Sequence, residues 1–161
     1  MTDLIKRYLE EFEAGQTFRS GRIRIDGERI KSFAAEFDPQ PFHLDERAAS
    51  DSIFGGLAAS GWHTAAITMR LLVDGLLSHS SSLGSPGIEQ IRWVKPVRPG
   101  DTLHAVLTVQ EVRQSQSKPD RGTVKFQRKF VRHGHQRARG EVVEHDGGRG
   151  PDERQPARQR R

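Results

Sequence analysis

The sequence contains no cysteine, which excludes disulfide bonds, thiolate nucleophiles and metal sites built on thiolates. It also lacks a long apolar run, because Arg70 and Asp74 interrupt the most apolar region well short of a membrane span. Residues 1–13 carry charges throughout and hold no apolar segment long enough for a signal peptide. We therefore expect a soluble, cytoplasmic protein with no membrane partner.

The excess of positive charge is small in the body of the chain. The 161 residues carry a net charge of +5, of which +3 belongs to residues 132–161. A basic end without aromatic residues is typical of a solvated tail, so nucleic acid is not expected as a partner. The length suits one domain, which we place over residues 1–145. Residues 146–161 form a basic tail that has too few apolar side chains to order, and we predict disorder there.

Apolar side chains recur at helical spacing in the first part of the chain. Residues 3–13 predict a short amphipathic helix. Asp26 can cap a second helix, in which apolar residues recur at i, i+3, i+4 and i+7 from Ile30 to Phe37. This spacing delivers Asp38 at the end of that helix.

The longest helix is predicted over residues 62–77, with Ser60 as its cap. Asp45 can cap a short turn over residues 46–49 ahead of it. The stripe expected to face the core consists of Ala65, Ala66, Met69, Leu72, Val73, Leu76 and Leu77. A helix this apolar needs a sheet around it.

Segments in which apolar residues alternate with polar ones predict the strands of that sheet. The predicted strands are residues 17–25, 88–97, 102–113 and 121–132, with a weaker fifth candidate at 140–144. Residues 98–101 are predicted to form the turn between the strands at 88–97 and 102–113. The pattern predicts an α+β hotdog fold, in which a curved antiparallel sheet is wrapped around a long central helix.

An acid and a base lie five residues apart at Asp38 and His43. Pro39 and Pro41 prevent the preceding helix from continuing and stiffen the loop, so the two side chains are expected at a nearly constant separation. A carboxylate and an imidazole held in this way can share proton transfer near neutral pH. Downstream, the N–H group of Gly61 at the start of the long helix can stabilise an oxyanion.

The segment from Asp38 to His63 resembles the signature of the MaoC-like hydratases, which include the (R)-specific enoyl-CoA hydratases. The signature runs Asp-x-x-Pro-x-His-x-Asp, then small residues, Phe-Gly and Ser-Gly-Trp-His. The matching residues are Asp38, Pro41, His43, Asp45, Ala48, Phe54, Gly55 and Gly61. Residues 96–103 resemble the family's strand-to-strand turn, so the resemblance covers residues 17–131.

The resemblance implies reversible addition of water to the 2,3-double bond of an acyl thioester such as a 2-enoyl-CoA. Asp38 and His43 would activate one water, and Gly61 would stabilise the enolate-like thioester oxygen. The residues expected to contact substrate are Gln40, Pro41, Phe54, Gly55, Ser60, Trp62 and His63. CoA would enter as part of the substrate, no metal or other cofactor is expected, and a homodimer is implied.

Several alternatives stay open. Many hydratases of the family have Asn two residues after the catalytic Asp, where this chain has Gln40, and the extra methylene moves the amide. The same groups would also suit an acyl-CoA thioesterase, and the fold would suit a protein that binds acyl-CoA without turnover. The charges that could anchor CoA phosphates, or simply be solvated, are Arg92, Lys95 and Arg98. His133 and His135 could ligate a metal or lie exposed at a strand end, and His63 could face the site or bond locally.

Overall fold

A computed structural model describes residues 7–133 in full and the backbone of residues 140–147. Five strands form one antiparallel sheet: β1 (Thr17–Arg24), β2 (Ile88–Trp93), β3 (Thr102–Gln114), β4 (Gly122–His133) and β5 (Gly140–Gly147). Their spatial order is β1-β3-β4-β5-β2, which makes β1 and β2 the edge strands. The sheet and the helix that it surrounds confirm the predicted α+β hotdog fold.

Four α-helices precede most of the sheet in the chain. They are α1 (Gly27–Phe37), α2 (Pro41–Leu44), α3 (Glu46–Ser50) and the central helix α4 (Gly61–Gly75). The three predicted caps are confirmed, because the side chains of Asp26, Asp45 and Ser60 accept from backbone N–H groups of α1, α3 and α4. Each cap satisfies one of the N–H groups that a helix leaves without an internal partner.

The sheet departs from the predicted strand ends at β2 and β5. β2 stops at Trp93 rather than at residue 97, because Val97 leaves the sheet and its carbonyl accepts from the Ala59 N–H at 2.8 Å. β5 continues to Gly147, so Asp146 and Gly147 belong to the sheet rather than to the tail. The disorder predicted further along, over 148–161, lies outside the described residues.

The predicted N-terminal helix is wrong where the structure describes it. Residues 3–6 lie outside the described part, and residues 7–13 contain a single 3₁₀ turn, Leu9–Glu11. Phe12 then packs edge-on against Phe18 and Phe126, with 5.9 Å between ring centroids in each pair. This aromatic packing holds the segment against β1 and β4 of the sheet.

The buried face of α4 also differs from the predicted stripe. Ala66, Met69 and Val73 are exposed, whereas the residues that face the core are His63, Thr64, Ile67, Thr68, Leu71 and Leu72. Two threonines can be buried because each hydroxyl donates to a carbonyl one turn back, from Thr64 to Ser60 at 3.3 Å and from Thr68 to Thr64 at 2.7 Å. Both threonine hydroxyls therefore have a hydrogen-bond partner. A helix face that contains threonine can then pack against the sheet.

The core between α4 and the sheet is built on Phe130, Ile25, Leu103 and Leu107, all of which are buried. The turn predicted over residues 98–101 lies directly before β3. Gly100 adopts φ +88°, and the Asp101 carboxylate accepts from the Arg98 N–H at 2.8 Å. Among the described residues, no helix combines the length and the apolar character that crossing a bilayer would need.

Candidate active site

The loop after α1 places an acid and a base side by side. Asp38 ends α1 with its N–H bonded to the Ala34 carbonyl at 2.9 Å, and Pro41 begins α2. Proline suits this first helical position, since its fixed φ matches the helix and no N–H is needed there. One turn of α2 then turns His43 back towards Asp38.

The two side chains face each other across a short gap. The His43 Nε2 and Asp38 Oδ2 atoms are 3.5 Å apart, and the side chains are 6% and 18% exposed, respectively. His43 Nδ1 lies 2.7 Å from the Ala58 carbonyl oxygen, which can only accept, so Nδ1 carries the hydrogen. In the neutral ring Nε2 is therefore an acceptor pointed at the carboxylate.

The Asp38 carboxylate is held by two further side chains. The Ser60 hydroxyl donates to Oδ2 at 2.6 Å, and the Gln40 amide donates to Oδ1 at 2.7 Å. The Ser60 hydrogen bond is the main cause that lowers the pKa of Asp38, with burial opposing it and Gln40 and His43 adding to it. Both donors favour the ionised form of the acid. The longer amide of Gln40 therefore reaches the carboxylate rather than being displaced from it.

The N-terminus of α4 begins beside this pair. Ser60 Oγ accepts from the Trp62 N–H at 3.2 Å while it donates to Asp38, so one hydroxyl connects the helix start to the acid. Gly61 lies under the indole of Trp93, where a Cβ atom would come within 2.4 Å of the ring. The Trp93 ring can pack this closely against the backbone only because residue 61 has no side chain.

Aromatic rings enclose the other side of His43. Phe42 and Phe54 lie 4.7 and 5.9 Å from the imidazole centroid. Phe54 was predicted to contact substrate, whereas Phe42 was not. The position of Phe42 between Pro41 and His43 could have indicated that it lies at the site. The contact of the Ala58 carbonyl with His43 was not predicted either, because every residue type has a backbone carbonyl and the sequence does not show which one is used.

The remaining predicted site residues fall into two groups. Asp38, Gln40, His43, Ser60 and Gly61 come together. Pro41 is exposed at the start of α2, Gly55 is exposed on the loop after α3, and Trp62 is 59% exposed and packs edge-on against Trp93.

His63 points away from the pair into the core, where its ring stacks on Phe33 with 4.6 Å between centroids. A helix residue two positions after Gly61 is rotated to a different face, which explains this orientation. The expectation that His63 contacts substrate is therefore not supported by its position.

The cations considered as phosphate anchors behave differently from one another. Arg92 and Lys95 are exposed. Arg98 is part-buried and donates to the carbonyl oxygens of Phe54 and Leu57. It therefore holds the loop that carries Phe54, and its guanidinium is engaged with backbone rather than being presented to a phosphate.

His133 stacks with His104 at the end of β4, with 3.0 Å between His133 Nε2 and His104 Nδ1. His135, its suggested partner in a metal site, lies outside the described residues. Within the described residues, no three His, Asp or Glu side chains come close enough together to hold a metal ion.

The chain is similar in sequence and in fold to known proteins. The family model for the MaoC like domain matches residues 11–129. A crystal structure of a MaoC-like dehydratase from Rhodospirillum rubrum is similar, with 46% sequence identity and a TM-score of 0.75 over 90% of this chain and 99% of that one.

Two curated relatives are similar in sequence. The uncharacterised protein YdeM of Bacillus subtilis is 36% identical over 101 residues, which are 63% of this chain and 72% of that protein. An (R)-specific enoyl-CoA hydratase of Rhodospirillum rubrum is 27% identical over 112 residues, which are 66% of this chain and 72% of the hydratase. The matched family model spans both the acid–base loop and the central helix, and the chain belongs to the MaoC-like family.

Proposed function

We propose that this protein is an acyl-thioester hydratase or dehydratase that adds water reversibly across the 2,3-double bond of a 2-enoyl-CoA. The observation that carries the proposal is the pairing of the Asp38 carboxylate with an imidazole acceptor 3.5 Å away, next to the start of α4. The family and its (R)-specific enoyl-CoA hydratase relative support the same reaction class.

One water molecule can bridge the side chains of Asp38 and His43. At 3.5 Å, Oδ2 and Nε2 are too far apart for a good direct hydrogen bond, and both are acceptors when the imidazole is neutral. A water that donates one hydrogen to each would be held with its oxygen lone pairs directed away from the protein. Such a water is oriented to attack C3 of a bound enoyl group.

We assign the proton transfers to His43 and the orienting charge to Asp38. The hydrogen bonds from Ser60 and Gln40 lower the pKa of Asp38 and so make it a weaker base. His43 Nε2 takes a proton from water as the hydroxyl adds to C3, and the imidazolium returns that proton to C2. The ionised Asp38 stabilises the imidazolium between these steps.

The thioester oxygen gains negative charge as the enolate forms. The first N–H groups of a helix have no partner within it, and they point at whatever lies before the N-terminus. Ser60 occupies the Trp62 N–H. The Gly61 N–H is our candidate donor to the enolate oxygen.

We also propose that the active form is a homodimer. The edge strand β2 is not covered by another described strand, and Ile88 and Trp93 on it are about half exposed. An exposed apolar edge of this kind favours pairing with a second copy. Sedimentation at several concentrations would show a species of twice the 18.1 kDa chain mass, whereas a monomer at all of them would contradict this proposal.

The test of the reaction follows the enoyl-thioester absorbance with crotonyl-CoA and with a longer 2-enoyl-CoA, beside a reagent for free thiol. We expect absorbance to fall without thiol release. Asp38→Asn and His43→Gln should each lower kcat by roughly 10²- to 10⁴-fold, the range for a positioned acid or base. Asp51→Asn, which removes an exposed carboxylate from the same segment, is the matched control.

The other outcomes separate the alternative functions. Thiol release that depends on Asp38 would make the protein a thioesterase. Binding of acyl-CoA with no turnover of either substrate would make it a binding protein. Turnover that is unchanged in Asp38→Asn would contradict the proposed site.

A further inference from the structure

A cavity of about 310 Å³ lies beside the second half of α4, away from the acid–base pair. Its walls come from the 3₁₀ turn Leu9–Glu11, the loop before β2, the first part of β4 and the helix itself. Apolar side chains dominate them, among them Leu9, Phe12, Met69, Leu72, Leu77 and Phe126. The volume lies at the lower end of the range for ligand pockets.

The charged groups in these walls are all of one sign. Arg7 and Arg128 line the cavity, and no Asp or Glu does so among the described residues. Arg7 lies over the rings of Phe12 and Phe18, at 5.7 and 4.9 Å from their centroids. Serine and threonine hydroxyls of the loop before β2 and of the start of β4 add further hydrogen-bonding groups.

Arg128 occupies an unusual position for a charge. It lies on β4 between Phe126 and Phe130, and because strand residues alternate between faces, all three point towards α4. The residue is only 8% exposed, and its Nε has no hydrogen-bond partner among the described residues. No ion pair is found for Arg128 within residues 7–133. Burial lowers the pKa of its guanidinium below the ordinary value.

A buried guanidinium without a counter-charge is costly, and an arriving anion would remove that cost. A carboxylate matches the planar donor fork of arginine and can accept two bonds from it. The apolar walls require that the rest of the ligand be aliphatic. At the ~30 Å³ that one water occupies, the cavity has room for roughly ten non-hydrogen atoms, about the size of octanoate.

We propose that this cavity binds an aliphatic chain that ends in a carboxylate, with Arg128 as the residue that recognises the carboxylate. The chain can come from two sources: a free medium-chain acid, or the far end of an acyl thioester that carries a second carboxylate. Met69 follows Gly61 by eight residues, which places the cavity roughly 12 Å along the helix axis from the proposed thioester position. Only the second source depends on the proposed hydratase activity.

Calorimetric titration of the whole protein with octanoate tests the recognition, with octanol as the uncharged probe of equal chain length. We expect octanoate to bind at least tenfold more tightly than octanol, and Arg128→Met to remove that preference. Arg70→Met, which removes an exposed arginine of α4 outside the cavity, should bind octanoate as the wild type does. Equal binding of the two probes, or unchanged octanoate binding in Arg128→Met, would overturn the proposal.

Arg128→Met is expected to fold, since it replaces a buried charge that has no ion pair within residues 7–133 with an apolar chain of similar length, and a thermal melt verifies this. Asp38→Asn should bind octanoate normally, so a failed hydratase assay leaves this test intact.

The source is identified with a 2-enoyl-CoA that ends in a carboxylate and its methyl-ended counterpart. A kcat/KM preference for the former that disappears in Arg128→Met supports the proposal with the thioester as source. Octanoate binding with no such preference supports it with the free acid as source.

Discussion

Acidification is expected to weaken the fold through the buried imidazole of His63. The residue is 5% exposed, its ring is stacked on Phe33, and Nδ1 has no hydrogen-bond partner in the part of the chain that the structure describes. The pKa of His63 is lowered to about 4, mainly by burial and in part by the Arg29 charge, with Asp26 partly opposing both. At pH 5 the folded chain therefore keeps this ring neutral. The unfolded chain, in which a histidine has a pKa of about 6.5, takes up a proton.

The difference in proton binding sets the size of the effect. Between pH 6.5 and pH 4 the unfolded state binds more protons at this residue than the folded state, so stability falls as the pH falls through that window. The two pKa values correspond to a loss of about 2 kcal/mol between pH 8 and pH 5. This is a large share of the 5–15 kcal/mol that stabilises an ordinary domain.

Urea unfolding at pH 8 and pH 5 measures the loss in the wild type, in His63→Phe and in His79→Phe. Phenylalanine keeps a ring against Phe33 but cannot be protonated, so the pH-dependent loss in His63→Phe should be smaller than in the wild type by about 2 kcal/mol. His79 is exposed, and its replacement is the control for the substitution itself. If His63→Phe and the wild type lose the same stability between the two pH values, burial of His63 does not control the acid sensitivity.

Two further substitutions test the site. Ser60→Ala removes the main cause of the lowered pKa of Asp38, so the acid limb of the kcat/KM profile should move to higher pH, and loss of the cap should cost about 1 kcal/mol of stability. An unmoved acid limb would show that Ser60 does not tune the acid. Gly61→Ala places a Cβ 2.4 Å from the Trp93 ring and should cost about 1–3 kcal/mol in urea unfolding, most of which Trp93→Ala in the same chain should restore. A double variant no more stable than Gly61→Ala would contradict the clash.

The fold and the acid–base loop could be predicted because both depend on local signals. Pro39 and Pro41 prevent the helix before Asp38 from continuing, and alternation of apolar residues defines β3 and β4, whatever the rest of the chain does. The Asp26, Asp45 and Ser60 caps were likewise visible, since a short polar side chain ahead of an apolar run has few other uses.

The errors arose where hydrogen bonds of the folded chain, local or distant, reverse the usual preference of a residue. Thr64 and Thr68 look polar in sequence, yet their hydroxyls are satisfied within α4, and so they replace the expected Ala66 and Met69 on the buried face. Arg98 looks like a solvated charge, yet two carbonyl oxygens of a distant loop orient it. The carbonyl partners of Arg98 lie 41 and 44 residues away and cannot be identified from spacing along the chain.

The Ser60 hydroxyl explains how the Asp38 carboxylate is oriented with Gln40 at position 40. Ser60 is fully buried. Two hydrogen bonds fix the position of its hydroxyl, which accepts from the Trp62 N–H and donates to the Asp38 carboxylate. The carboxylate is thus oriented from the rigid start of α4, and the exposed Gln40 adds a second bond from the solvent side. Because the buried bond determines the geometry, an amide one methylene longer can reach Oδ1 without moving Oδ2 away from His43. The acid–base pair therefore depends on the helix cap more than on the identity of residue 40.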